Sequence, residues 1–303
     1  MSRGIFAGFD LGGTNLKYGL VTEGGEVLEK SSLPTPSTFG AALELIASVW
    51  REYRSRPKDR PVAAGFGFPG IFSLRERRIL QAPNYPELDN VALEPALAGI
   101  LNAPFRVDND ANLAAYGEWR CGAGRGVASL VHLTIGTGIG SGLILGGNLW
   151  HGHCGFAGEL GHITVNPEGD KCNCGRHGCL ETEAAAPKIV KNYKDLSKTK
   201  RAVKAEEVFD KAARGEVAAV KAFAIAGYYL GIALGIVINM LNPEKIVLGG
   251  GVMATGDFLL QAAVEESARR SYKASFDCCS IERAALGNDA GLIGAGLWAG
   301  AKS

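Results

Sequence analysis

No stretch of this 303-residue chain approaches the ~18 consecutive apolar residues of a membrane-spanning helix. The longest apolar run, Gly227–Leu241, is shorter and broken by glycine, so it reads as a buried helix and no membrane partner is expected. The first ten residues lack the basic region, apolar core and small-residue cleavage site of a secretory signal, and a cytoplasmic protein is expected. Charge of one sign is also missing: 32 Lys and Arg stand against 31 Asp and Glu, a net +1. Phosphate-backbone binding wants a clear basic excess, so no nucleic-acid partner is expected either. The basic run Lys188–Lys204 carries no binding motif and reads as a solvated helix and loop. Cysteine is sparse and odd in number, seven in all, which argues against a disulfide framework. Cys121, Cys154, Cys278 and Cys279 read as packed thiols, but three others crowd into "CNCGRHGCLE", Cys172–Glu181.

What is present is an alternation of short apolar runs with longer helical patterns, an α/β arrangement long enough for two domains. "GIFAGFD" (4–10) and "NLKYGLVT" (15–22) read as strands joined at a glycine tip, and residues 38–56 as a helix ending before Pro57. Residues 62–68 and 105–110 read as further strands, and "NLAAYGEWRCG" as a helix ending at Gly122. The second half begins the same way, with strand 129–136, a glycine turn and a returning strand 143–147. A long buried helix (218–241), a strand (245–251) and a final helix over "NDAGLIGAGLWAG" (288–300) follow. The repeated strand–turn–strand pattern predicts two related halves.

The turns themselves suggest chemistry. Backbone N–H groups at glycine turns form concave anion sites that phosphate oxygens approach closely. Two such turns occur, Asp10-Leu-Gly12-Gly13-Thr14 and Gly136-Thr137-Gly138-Ile-Gly140. The first adds an aspartate at a strand end, where Mg²⁺ could be held through water, and a threonine whose hydroxyl can donate to phosphate. No G-x-x-x-x-G-K-[ST] is present, which excludes a P-loop enzyme. "GFGFPG" (65–70) matches a dinucleotide fingerprint by letter, but Pro69 lies inside it and "IFSLRERR" follows in place of an amphipathic helix, so it reads as a decoy.

"GFDLGGTNLKYGLV", "VDNDANLAAYGEW", "LTIGTGIGSGLILGGNLWHG", "AGELGH" and "CNCGRHGCLE" occur in that order across nearly the whole chain. Together they resemble the ROK family of repressors, open-reading-frame proteins and sugar kinases, and within it the bacterial ATP-dependent glucokinases. The resemblance implies the actin/hexokinase-like (RNase-H-like) two-domain ATPase fold with an interdomain cleft. The domains expected are 1–118, with the helix 289–303 packing back on it, and 119–288 carrying the cysteine knuckle. It also implies ATP phosphates at Gly12, Gly13, Thr14, Gly136, Thr137 and Gly138, with Asp10 and Lys17 beside them and the adenosine near Gly249 and Gly250.

Phosphoryl transfer to a sugar hydroxyl needs alignment, charge neutralisation and an acceptor for the hydroxyl proton. The resemblance assigns that proton to Asp110. Spacing alone does not choose between Asp108 and Asp110, since strand alternation points both the same way, and either serves equally as a cap for the following helix. By the same resemblance Asn109, Glu159, His162 and Glu181 would bind sugar hydroxyls, with Gly70 and Asn84 also at the sugar site. Cys172, Cys174, Cys179 and His162, ten residues before Cys172, would form a closed Cys₃His structural zinc site. C-x-C spacing alone does not establish zinc. His151, His153, Cys154 and His177 lie nearby but outside the family's ligand pattern. With one ring nitrogen of His162 on zinc, the other is expected to face a sugar hydroxyl.

The expected activity is therefore ATP-dependent phosphorylation of a hexose, glucose first. N-acetylglucosamine, N-acetylmannosamine, mannose, allose and fructose stand as alternatives, because the loops 82–88 and 147–156 are not decodable by pattern. A sugar-sensing regulator is the alternative of another class, disfavoured because the first phosphate strand begins at residue 4. The family commonly forms homodimers or dimers of dimers, and the same is expected here.

Overall fold

The computed structural model describes residues 4–301. The first half contains β1 (Ile5–Leu11), β2 (Asn15–Thr22), β3 (Val27–Pro34), α1 (Phe39–Ser55), β4 (Ala63–Phe68), β5 (Ile71–Ser73), β6 (Arg78–Gln81), α2 (Leu93–Leu101), β7 (Phe105–Asn109) and α3 (Asp110–Cys121). The second contains β8 (Leu130–Ile135), β9 (Ile139–Leu145), β10 (Asn148–Leu149), α4 (Leu180–Ala184), α5 (Ala186–Ser197), α6 (Ala205–Ala213), α7 (Val217–Leu241), β11 (Lys245–Gly249), α8 (Phe258–Arg270), α9 (Lys273–Asp277), β12 (Ser280–Arg283) and α10 (Ala290–Ala299).

The expected recurrence of halves is visible in the sheets. One runs β3-β2-β1-β4-β7 and the other β10-β9-β8-β11-β12, so each places its third, second, first, fourth and fifth main strand in that order. In both, an antiparallel meander is extended by two parallel strands. Each sheet has its own core. Phe9, Phe66 and Phe68 pack with Ile46 and Trp50 of α1 in the first. Val131, Leu133, Ile246 and Leu248 pack with Leu230 and Leu234 of α7 in the second. The apolar helix α7 is long and apolar enough to cross a membrane by length and composition, yet half of its most apolar window is buried inside the fold, where it packs on α8.

The halves exchange their closing helices. α3 follows the first sheet but packs on β8 and β9, whereas α10 follows the second and packs on β1 and β4. The two helices also pack on each other, and small residues permit the approach: a Cβ built on Gly294 would overlap the Leu113 carbonyl oxygen, and one on Gly117 would press on that of Ala290. At the end of α3 the fully buried Glu118 carboxylate accepts from the N–H groups of Ala123 (2.8 Å), Ala285 (3.1 Å) and Leu286 (2.7 Å), fixing the segment that leads into α10.

The strands β3, β5, β6 and β12 were not expected. "IFSLRERR" begins a short hairpin, β5–β6, which agrees with the dismissal of a dinucleotide fingerprint there. The returning strand of the second half begins at Ile139 and not at residue 143, since "IGSG" (139–142) itself pairs with β8.

Candidate active site

The two glycine turns occupy matching places, between β1 and β2 and between β8 and β9. Both line one cleft of about 680 Å³ between the sheets. The first turn is tightened by Gly12 N–H donating to Asn15 O (2.9 Å) and is braced by the Thr35 hydroxyl on Gly12 O (2.6 Å). The second is closed by Gly136 N–H to Gly138 O (2.9 Å).

Of the residues expected at the site, Asp10, Gly12, Gly13, Thr14, Lys17, Gly70, Asn84, Asn109, Asp110, Gly136, Thr137, Gly138, Glu159, His162, Cys174, Glu181 and Gly250 line this cleft. Gly249 does not. It closes β11 in the buried sheet, where a Cβ would press on Ala284 and the His132 ring, and Gly250 and Gly251 face the cleft in its place. Gln81, Ser141, Arg176 and Asn288 line it without having been anticipated. Arg176, inside the cysteine knuckle, and Ser141, inside the second glycine-turn motif, lay in stretches the sequence had singled out for the site. Asn288 and Gly291 lie where the last helix begins, a segment legible only as helix.

The two aspartates of "VDNDAN" part company. Asp108 ends within β7, but Asp110 already belongs to α3, so strand alternation stops between them and the expectation that both point the same way fails. Neither is the helix cap. That role falls to Asn109, whose Oδ1 accepts from Ala111 N (2.9 Å) and Asn112 N (3.2 Å) while its Nδ2 donates to Gly70 O (2.9 Å). Asp108 is turned into the protein interior, and Asp110 lines the cleft. Burial, then the neighbouring Asp10 carboxylate, push Asp110 up to about 7 against the hydrogen bond it accepts from Ala111 N–H (2.8 Å); Glu159 adds to the rise. Burial also raises Asp10, opposed by Lys17, whose Nζ lies 3.8 Å from its carboxylate and donates to Asn288 O (2.8 Å). Glu159 is raised by burial, with His162 opposing and Glu181 adding to the rise. These carboxylates, gathered on one cleft with only Lys17 close to Asp10, are short of positive charge, the condition under which a divalent cation or a substrate hydroxyl is welcome.

Glu159 and His162 sit on a short turn that docks on β9, where Leu160 N–H donates to the Ser141 hydroxyl (3.2 Å) and that hydroxyl donates to Gly158 O. Glu181 opens α4, and its Oε2 accepts from Ile139 N–H (2.9 Å) in the second glycine turn. The approach is close enough that a Cβ on Gly138 would strike that carboxylate. One oxygen of Glu181 is thus committed to the turn.

The ligand atoms of His162, Cys172, Cys174 and Cys179 lie within 4.8 Å of one another. Cys174 and Cys179 Sγ are 3.5 Å apart, and Cys172 Sγ is 3.6 Å from His162 Nδ1. Tetrahedral ligands at ~2.3 Å from zinc stand about 3.8 Å from each other, so the donor set fits that ion. Nδ1 is the ring nitrogen turned to the cluster. His151, His153, Cys154 and His177 stand outside it, as expected: His151 meets Asp108 and His177 meets the Gly169 carbonyl.

Known proteins agree with this geometry. The chain matches the ROK family over residues 6–302. It is 39% identical to a glucokinase of Halalkalibacterium halodurans, over 98% of this chain and 95% of the relative. The crystal structure of a ROK hexokinase from Thermus thermophilus superposes with a TM-score of 0.85 at 34% identity, covering 97% of each chain. That of a ROK family glucokinase from Streptomyces griseus, in complex with glucose and AMPPNP, does so with a TM-score of 0.84 at 29% identity, covering 97% of this chain and 98% of that one. With the repeated α/β halves and the shared cleft, these matches establish that the chain belongs to the ROK family.

Proposed function

We propose that the protein is an ATP-dependent hexose kinase that converts glucose to glucose 6-phosphate, with Asp110 as the general base. The observation that carries this reading is Asp110 itself, a half-buried carboxylate whose pKa is raised to about 7, in the same cleft as both glycine turns. A general base works best when its pKa lies near the working pH.

In the reaction the sugar hydroxyl oxygen forms a bond to the γ-phosphorus of ATP as the bond to the leaving ADP oxygen breaks, and the hydroxyl proton passes to the Asp110 carboxylate. The turns Gly12–Thr14 and Gly136–Gly138 hold the phosphates, the N–H groups of Gly12 and Gly136 being spent on closing the turns, with Lys17 beside the first. Mg²⁺ held by Asp10 through water would supply charge neutralisation at the phosphates. Glu159, His162 and Glu181 hold sugar hydroxyls, with Gly70, Asn84 and Asn109 at the same site. The free oxygen of Glu181 and the Nε2 of His162 remain available for this task. Closure of the halves, near 1–118 with the returning last helix and 119–288, excludes water during transfer.

Structural zinc on His162, Cys172, Cys174 and Cys179 is part of the same proposal, supported by the close-set donors. When bound it fixes the orientation and tautomer of His162; the reacting phosphate lies outside its role. A cytoplasmic setting fits a kinase that consumes ATP. Assembly as a homodimer or dimer of dimers finds support in the exposed stripe Ile225, Tyr228, Ile236 and Met240 on α7.

The test is ADP release from Mg-ATP with a panel of hexoses and N-acetylhexosamines, the product identified by phosphorus NMR. Glucose is expected to give the highest kcat/KM, with phosphate on the 6-oxygen. Turnover only with an amino sugar or another hexose would change the substrate. Sugar binding without turnover would favour a sensor.

A further inference from the structure

Asp108 and His151 have no part in the mechanism above, yet they form a tight buried pair. His151 Nε2 lies 2.6 Å from Asp108 Oδ2, and Asp108 is 2% exposed. The other carboxylate oxygen, Oδ1, accepts from the Asn109 N–H (2.8 Å) and from Asn112 Nδ2 (2.9 Å). Asp108 therefore grips the residues on both sides of Asp110. His151 belongs to the other half. It opens the segment that leaves β10 and carries Glu159 and His162 to the cleft, and its carbonyl accepts from Ala157 N–H (3.0 Å) within that segment. The Trp298 ring of α10 stands 6.1 Å from the imidazole, so the pair is shielded by the exchanged helix.

We propose that the Asp108–His151 hydrogen bond is a positioning tie across the cleft, setting where the base on one half stands relative to the sugar-holding turn on the other. It links the two segments that must act on one hydroxyl, and it does so through a buried carboxylate and a largely covered imidazole. Neither residue touches the substrates. The inference rests on the reading of Asp110 as base and of Glu159 and His162 as sugar ligands.

The experiment compares wild type with His151→Gln, His151→Phe and Asp108→Asn, with Asp110→Asn alongside. Steady-state constants for glucose and ATP are measured at a temperature where thermal melts show each protein folded. Gln sets an amide nitrogen where the imidazole Nε2 was, so it retains the donor; Phe keeps the bulk and loses it. The expected result for His151→Phe and Asp108→Asn is a KM for glucose raised about tenfold and kcat lowered by a similar factor, the scale of one buried hydrogen bond to a charged group. The KM for ATP stays within about twofold, since the glycine turns are anchored elsewhere, and His151→Gln recovers most of the loss. Should His151→Phe fail to fold, Asp108→Asn against His151→Gln is read in the same way. Folded variants with lowered melting temperature but wild-type constants would show a merely structural pair and overturn the proposal. So would an equal rise in both KM values. Undiminished turnover in Asp110→Asn would instead overturn the reading of the base on which the tie depends.

Discussion

Asp110 holds its proton more tightly in the folded chain than in the unfolded one, because burial and the facing Asp10 raise it to about 7 from the usual 3.8. The sign follows directly. Between those two values the folded state binds the extra proton, so this group's contribution to stability is complete below about pH 4 and is lost as pH rises through about 7. Asp110→Asn removes that loss. In the absence of sugar, nucleotide and divalent cation, the variant should melt at the wild-type temperature near pH 4 and be more stable at about pH 8, on the order of 4 kcal/mol, since one pKa unit corresponds to ~1.4 kcal/mol. A variant no more stable than wild type at the higher pH would contradict the buried, cation-poor site. In the active enzyme, kcat/KM for glucose should rise with pH to a plateau above about 7, because only the ionised carboxylate accepts a proton. At this scale the sequence was half legible. The family resemblance led to Asp110, Glu159, His162 and Glu181, but the spacing of the two aspartates could not reveal that the strand ends at Asn109 and that the chain turns helical at Asp110. The pairing of Asp108 with His151 was invisible, because its partners are 43 residues apart and belong to different halves.

The elements around the knuckle join the proposed metal, sugar and phosphate sites into one unit. Cys179 precedes α4, Glu181 lies in its first turn, and its carboxylate caps Ile139 N–H in the second glycine turn. Ala186 N–H, at the start of α5, donates to Gly136 O (2.9 Å) in the same turn. A change in the knuckle therefore reaches the phosphates as well as the sugar. Cys174→Ser and Cys179→Ser should lose zinc by elemental analysis and weaken glucose binding about tenfold or more, the range in which disturbed metal sites respond. They should also weaken nucleotide binding measured without sugar. A folded, zinc-free variant that binds both ligands like wild type would contradict the coupling. The strands missed from the sequence share a physical cause. β3 is exposed along almost its whole length and β12 is an edge strand of alternating partial exposure, so neither bears the apolar pattern of a buried strand. β1, β4 and β8, buried by the layers around them, were legible from composition alone.

At the scale of the whole molecule, two halves with one strand order are locked together by the exchange of α3 and α10. The last helix was readable in sequence, and so was its return to the first half, but the reason for its glycines was not: Gly294 is there because the Leu113 backbone lies against it. Gly294→Ala should push the two helices apart and lower stability by about 1–3 kcal/mol in urea unfolding, the usual cost of overpacking a close contact. Unchanged stability would mean that the helix pair is looser than the structure indicates. The cleft that this pair backs is where the account is most exposed. Its central claim is that Asp110 takes the proton from a bound hexose, and the most direct measurement is single-turnover phosphorylation of glucose by wild type and Asp110→Asn, each saturated with Mg-ATP, with glucose affinity determined by calorimetry on the same preparations. The account predicts a rate lower by a factor of about 10² or more in the variant, with glucose affinity within about tenfold of wild type. A rate close to wild type in a variant that binds glucose would contradict it.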